Sequence, residues 1–257
     1  TLGHAYLLGI PWTLGLDGFI EGEMGSGKAV TNVLLRGILP VVGAAALFMA
    51  VAWRYGRLYC GWLCPHFGAV ELVNGLMRRA IGKLSLWDAS PVPERDPDGQ
   101  VIHPRSRWWP VLLLAVAGLG FMWAVVLLTY LLSPAEVYGN LWHWTLTPNQ
   151  ARFIGVATVV FMLEFLFARH LFCRFGCAVG FFQSVAWMGN ARALLVDFDV
   201  ARARACAACN AACEHACPMR IKPRDIKRRM FTCTQCSECI SSCEEVQKDN
   251  AQGSLLR

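Results

Sequence analysis

Residues 108–132 read WWPVLLLAVAGLGFMWAVVLLTYLL, without one charged side chain. A helix needs about 20 apolar residues to cross the hydrocarbon core of a bilayer, and this stretch supplies them. Outward from it, Gly37–Trp53 (GILPVVGAAALFMAVAW) is shorter but equally uncharged, and Phe153–Phe167 is apolar apart from Glu164. Ala5–Ile20 is apolar too, yet holds Pro11 and Asp17, and two readings stay open: the end of a fourth span whose start is missing, which is favoured, or a segment lying at the interface. Composition agrees: 55% of the 257 residues are hydrophobic and 16% charged, against about a quarter charged in a soluble domain.

The net charge of +6 does not point to nucleic acid, because no basic stripe with interleaved aromatics accompanies it. The cations sit beside the apolar runs instead. Arg54, Arg57, Arg78, Arg79, Lys83, Arg105 and Arg107 lie between the second and third runs, and Arg169, Arg174 and Arg192 follow the last. By the positive-inside rule this side is cytoplasmic, which predicts a multi-pass protein of the bacterial inner membrane. Gly25-Ser-Gly-Lys28 resembles a fragment of a phosphate loop, but Ala29 stands where Ser or Thr is required and no strand precedes it, so nucleotide binding is rejected.

Twelve cysteines follow a pattern. Eight form two runs, Cys206-x2-Cys209-x3-Cys213-x3-Cys217-Pro218 and Cys233-x2-Cys236-x2-Cys239-x3-Cys243. Bacterial two-cluster ferredoxins use C-x2-C-x2-C-x3-C-P, with the fourth cysteine of each run serving the other cluster. The spacing therefore predicts one 4Fe–4S cluster on Cys206, Cys209, Cys213 and Cys243, and a second on Cys217, Cys233, Cys236 and Cys239. The first run has one residue more than the pattern. Two structural zinc sites are the competing reading, since four thiolates also suit tetrahedral zinc, but zinc motifs usually separate a pair of C-x2-C units by a longer spacer. Arg220, Lys222, Arg224, Lys227, Arg228 and Arg229 crowd this segment, either offsetting cluster charge or facing anionic lipid.

The other four cysteines belong to an internal repeat. Arg57-Leu-Tyr-Cys60-Gly-Trp-Leu-Cys64-Pro-His-Phe-Gly68 matches His170-Leu-Phe-Cys173-Arg-Phe-Gly-Cys177-Ala-Val-Gly180. Each copy follows an apolar span and precedes a short amphipathic stretch, and repeats in membrane proteins often share a site at their interface. Three readings of Cys60, Cys64, Cys173 and Cys177 stay open: a third metal site holding iron–sulfur or copper, a thiol/disulfide couple, or inert helix packing. Glu164, ionisable inside a span, is a candidate contact for a proton or a quinone.

These motifs resemble the membrane ferredoxins of the NapH, MauN and NosR type and the FixG/CcoG group, from about Arg54 to Arg257. Cys239-Ile-Ser-Ser-Cys243-Glu-Glu-Val and Gly253-Ser-Leu-Leu-Arg257 look most like the FixG/CcoG group. Ala178 departs from the proline common in the family's second membrane motif. The resemblance implies one-electron transfer between the quinone pool or a cytoplasmic donor and a respiratory or cytochrome partner. In the FixG/CcoG setting it implies cupric reduction in cytochrome oxidase assembly, and a thiol-based redox sensor is the third option. An electron-transfer subunit fits better than a stand-alone catalyst.

The fold class expected is an all-α membrane domain of three to four transmembrane helices with an internal repeat over residues 1–196, followed by a small α+β ferredoxin-like module with two clusters over residues 197–257 on the cytoplasmic side.

Overall fold

The computed structural model describes residues 5–7, 10–20, 22–86, 101–209 and 211–257. Among these, three helices are long and apolar enough to cross a bilayer: α1 (Ser26–Tyr55), α4 (Ser106–Thr129) and α6 (Pro148–Ala168). Between them lie α2 (Leu58–Trp62), α3 (Pro65–Ile81) and α5 (Pro134–Trp142). After α6 come α7 (Phe172–Gly176), α8 (Ala178–Met188), α9 (Ala212–His215) and α10 (Glu238–Val246).

The expected fourth span is corrected. Ala5–Leu7 and Ile10–Trp12 form two antiparallel strands, β1 and β2, with Tyr6 opposite Pro11, and Gly15 follows in the left-handed region. Proline confines φ and offers no N–H, so this stretch does not enter a continuous helix. It packs on the start of α1 for a related reason. Pro40 has no N–H for the carbonyl of Arg36, and the helix widens to a π-turn over Val33–Ile38. The indole N–H of Trp12 donates to that carbonyl at 2.9 Å.

The three spans differ in what they bury. The core runs between α3, α4 and α6, where Val70, Val73 and Met77 meet Leu112, Val116 and Phe165, all fully buried. The spacing of the α3 residues is the i, i+3, i+7 stripe of an amphipathic helix. A second cluster joins Ala124, Val125 and Leu128 of α4 to Val137 of α5 and Ile154 of α6. The start of α6 is fixed by a capping box, in which Thr147 Oγ1 accepts from Gln150 N at 3.3 Å and Gln150 Oε1 accepts from Thr147 N at 3.1 Å. By contrast α1 leaves Val41, Val42 and Leu47 more than half exposed, and Leu114 and Val156 project from α4 and α6 in the same way. Such an apolar belt is costly in water and satisfied by lipid. Tyr130, Trp142 and Trp144 stand exposed beyond the ends of the spans, where aromatic belts occur.

The repeat read from the sequence is a repeat of backbone shape. After α1 the chain turns at Gly56 (φ 70, ψ −141), and after α6 it turns at Arg169 (φ 48, ψ −120). A short helix follows each turn, α2 or α7. Each ends on a cysteine in extended conformation, Cys64 (φ −76, ψ 116) or Cys177 (φ −80, ψ 108), which begins the amphipathic helix α3 or α8. Both cysteines donate their N–H five residues back, Cys64 to Tyr59 O at 3.0 Å and Cys177 to Phe172 O at 2.9 Å. The second copy keeps this geometry with Ala178 in place of proline. The two ends lock together, because Leu194 N donates to Arg54 O at 2.8 Å and Asn190 Nδ2 to Trp53 O at 3.0 Å.

From Asp197 the chain closes on its own last residues. Asp197 and Arg257 exchange backbone bonds of 2.8 and 3.1 Å, and Phe198 bridges Leu256 antiparallel. Among the described residues of 197–257 this bridge is the whole of the extended structure; the rest is short helices and turns, and the expected α+β character reduces to that pairing. The mostly helical architecture with three apolar spans stands.

Gly56 carries a conformation costly to other residues, and a Cβ there would meet the Trp187 ring at 3.1 Å. Gly56→Ala is expected to cost about 1–3 kcal/mol and to lower the thermal midpoint of the detergent-solubilised protein. Gly68→Ala, with open space around its Cβ on α3, is expected to leave the midpoint unchanged or raise it.

Candidate metal centres

The eight cysteines of the tail line two separate cavities, four in each. Cys206, Cys209, Cys213 and Cys243 line one with Phe198, Val246, Leu255 and Leu256. Cys217, Cys233, Cys236 and Cys239 line the other with Val196, Met219, Ile221 and Met230. The exchange of fourth cysteines comes from the packing of α9 on α10. Cys213 lies on α9 and Cys217 just beyond it. Cys239 and Cys243, one helical turn apart on α10, face different cavities along the helix axis. Left-handed residues turn the chain at Ala211, Arg220, Gln235 and Ser237.

The donor set suits a thiolate-ligated cluster. Each cavity offers four thiols in an apolar shell, and backbone amides aim at the sulfurs: Ile221 and Met219 at Cys217, Gln235 at Cys233, Glu238 at Cys236. Leu255 N donates to Cys243 Sγ at 3.5 Å. Such N–H···S bonds are among the protein's levers on an iron–sulfur centre. Among the described residues no three His, Cys, Asp or Glu side chains converge as they would on a single ion. Burial pushes the Cys213 and Cys233 thiols up to about 11 and Cys217 to about 12, and raises Cys239 further. Thiolates in these pockets therefore need positive charge beside them, which bound iron supplies.

The four membrane-proximal cysteines also come together. Cys60 has Cys64 and Cys177 as charge neighbours, and Cys173 has Cys64, Cys177 and Cys60. Each pair straddles the end of a short helix, so its two thiols reach the shared centre from a helix and from the turn after it. Burial raises Cys60 to about 11 and Cys173 to about 12. Gln183 Nε2 donates to Cys60 Sγ at 3.8 Å.

This group touches the tail directly. Cys64 and Cys173 pack against Phe67, Met219 and Cys217, so one thiol of the second cavity shares a packed cluster with two of the membrane thiols. The approach depends on Gly61, where a Cβ would stand 2.4 Å from Thr234 O. Next to it, Trp62 Nε1 donates to Gln235 O at 2.9 Å. Arg57, 1% exposed, lies at the same junction. Its Nε donates to Ser184 Oγ at 2.5 Å and its Nη1 to Cys173 O at 2.8 Å, while Ser184 Oγ donates to Phe231 O at 2.5 Å. Its charge neighbours are Cys60, Cys177, Cys173 and Cys233, drawn from both groups. The sequence marked Arg57 for topology only. The signal missed was its place in the repeat, three residues before the first cysteine, where the second copy has His170, also buried.

Glu164 faces His66, with Oε1 3.2 Å from Nε2. The imidazole stacks on Phe165 at 5.6 Å and meets Phe172 edge-on at 5.7 Å. Glu164 is also a charge neighbour of Cys173. His66 follows Cys64-Pro65, and nothing in the linear sequence joins it to Glu164.

Comparison with known proteins falls on the same residues. The family described as a 4Fe-4S binding domain matches twice, over residues 37–83 and 149–192, and each match contains one cysteine pair of the repeat. YccM of Escherichia coli (strain K12), provisionally named an electron transport protein, is 29% identical over 82% of this chain and 56% of its own length. An uncharacterized protein of Methanocaldococcus jannaschii, MJ0750, is 28% identical over 84% of this chain and 81% of its own. The methylamine utilization ferredoxin-type protein MauN of Methylorubrum extorquens is 28% identical over 69% of this chain and 55% of its own. The chain thus spans little more than half the length of YccM and MauN. No solved structure matches it. The domain falls on both halves of the repeat, and in this the chain is similar to proteins named for electron transport and as ferredoxin-type.

Proposed function

We propose that this protein is a membrane-anchored relay for single electrons with three iron–sulfur sites in a row. Cys206, Cys209, Cys213 and Cys243 hold the outermost, Cys217, Cys233, Cys236 and Cys239 the middle one, and Cys60, Cys64, Cys173 and Cys177 the one nearest the bilayer. The observation that carries the reading is the single packed cluster that Cys217 of the tail shares with Cys64 and Cys173 of the repeat, together with Phe67 and Met219. Clusters bound at these sites would accept and release one electron at a time. The chain's own residues hold the cysteines at two junctions, exclude water with an apolar shell, and set the local charge. An inert packing role for the membrane cysteines fits poorly with thiols from both halves of the repeat standing as charge neighbours beside a buried arginine.

The division into a membrane domain over residues 1–196 and a two-cluster module over residues 197–257 belongs to the same proposal. So does its orientation, with the module on the cytoplasmic side of a bacterial inner membrane, a reading supported by the cations beside the spans. The partners are a quinone or cytoplasmic donor and a respiratory redox protein. Glu164 with His66, at the edge of the membrane and beside Cys173, is the proposed proton or quinone contact.

Anaerobically purified protein is expected to hold about twelve irons per chain, and Cys60→Ser combined with Cys173→Ser about eight, with two cubane EPR signals retained. A wild-type value of about eight removes the site nearest the bilayer, and zinc without acid-labile sulfide removes the relay.

Gly61→Ala forces Thr234 away and is expected to reduce the spin–spin broadening of the reduced EPR spectrum without loss of iron. Arg57→Gln withdraws a buried cation from two sites. It is expected to lower their reduction potentials by on the order of 50 mV, or about 1 kcal/mol for a one-electron couple, measured by redox titration against Arg57→Lys.

A further inference from the structure

A cavity of about 480 Å³ has none of the twelve thiols among the residues that line it. It is lined by the C-terminal half of α3 with Ser85 beyond it, Ile102, the turn that ends α6, the loop around Pro218, and Glu238 of α10. Five arginines stand on its wall: Arg78 and Arg79 from the first repeat, Arg169 and Arg174 from the second, and Arg220 from the tail. Among the described residues two carboxylates, Glu71 and Glu238, offset some of this charge. Glu71 is already engaged, with Oε1 2.5 Å from His170 Nε2 and accepting from Asn74 Nδ2 at 2.9 Å.

Several of these groups are held in place before any ligand arrives. Arg169 Nη1 donates to Asn74 Oδ1 at 2.8 Å, and the Arg79 guanidinium lies over the Trp108 ring at 5.4 Å. Two wall residues, His170 and Arg174, carry a buried polar atom without a hydrogen-bond partner among the described residues. His170, 7% exposed, has Nδ1 buried without a hydrogen bond, and Nε of Arg174 is buried in the same condition. A buried polar atom without a partner forfeits its hydration, and the Arg174 Nε–H finds no acceptor among the described residues. Guanidinium forks match the paired oxygens of a phosphoryl group, and lysine, the more hydrated point charge, is absent from this wall. The volume exceeds that of a bare ion and admits a phosphate together with the group that carries it.

We infer that this cavity is a binding site for the phosphate group of an anionic ligand, assembled from both halves of the repeat and closed by the tail. The position, beside the ends of the spans on their cation-rich side, admits phosphate from two sources: the headgroup of an anionic phospholipid or a free phosphorylated small molecule. The site does not depend on the electron-relay reading, because its arginines and His170 are none of the proposed cluster ligands.

The test uses the full chain in phosphatidylcholine nanodiscs. Inorganic phosphate is titrated while phenylglyoxal labelling of the arginines is mapped by mass spectrometry on the wild-type protein. Saturable protection of Arg78, Arg79 and Arg174, with Arg202 and Arg257 unprotected, is the result expected for a free phosphorylated ligand. In a second arm phosphatidylglycerol is added to the nanodiscs. Protection of the same arginines by this lipid, at phosphate concentrations that alone do not protect, assigns the source to the headgroup. Arg174→Gln is expected to weaken whichever probe protects by about tenfold, the effect of one charge-assisted hydrogen bond. Arg174→Lys, which keeps the charge and loses the fork, is expected to recover only a fraction of the affinity. Uniform labelling of all arginines under both probes overturns the proposal, as does protection unchanged by both Arg174 variants while iron content and EPR signals are retained.

Discussion

The approach of the Cys60–Cys64 turn to the Thr234–Gln235 backbone governs the rest of the molecule. Gly61 has no side chain, so the carbonyl of Thr234 rests where a Cβ would stand, and Trp62 bonds the next carbonyl. That contact fixes the tail beside the turn that carries the first pair of membrane cysteines. With it, Cys217 of the tail shares one packed cluster with Cys64 and Cys173 of the repeat. The contact is supported from below by Arg57 and Ser184, and from the side by Lys227, whose Nζ donates to Trp187 O at 2.8 Å and Asn190 O at 2.5 Å.

Arg57 illustrates what such a junction costs. A guanidinium taken out of water loses several kcal/mol of hydration, recovered only through good geometry and nearby negative charge. Here Ser184 Oγ and Cys173 O supply two acceptors, the Phe231 ring lies 5.9 Å from the guanidinium carbon, and thiols of two sites surround it. Burial opposes its charge and four cysteines favour it. An arginine here, with its planar fork, links three chain segments at once, which an ammonium does less well.

The repeat explains why a short chain can hold a four-thiol group against the membrane. Each half delivers two cysteines through the same turn, and two halves related by pseudo-symmetry meet at their common face. Gly56 adopts the required positive φ freely, while Arg169 adopts it as a non-glycine residue, held by its bond to Asn74. The second copy makes the turn at Cys177 without a proline. The shape is therefore set by the shared backbone bond to the residue five positions back and by packing, with Pro65 reinforcing it in one half.

Linear pattern alone carried the three apolar helices, the repeat and the eight-cysteine spacing, because each is a matter of local composition or of distances along the chain. It misread Ala5–Ile20, where apolar content outweighed the effect of Pro11, and it placed an α+β module where the chain forms a single bridge between Phe198 and Leu256. Other features belong to tertiary structure only. The pairing of His66 with Glu164, the convergence of Cys60 and Cys64 with Cys173 and Cys177, and the burial of Arg57 each join residues about 100 or more positions apart. Periodicity and spacing report which face of an element is apolar and which side chains are near in sequence. Which faces then meet is decided by shape and packing across the whole chain, and in this protein that meeting is what brings the thiols together.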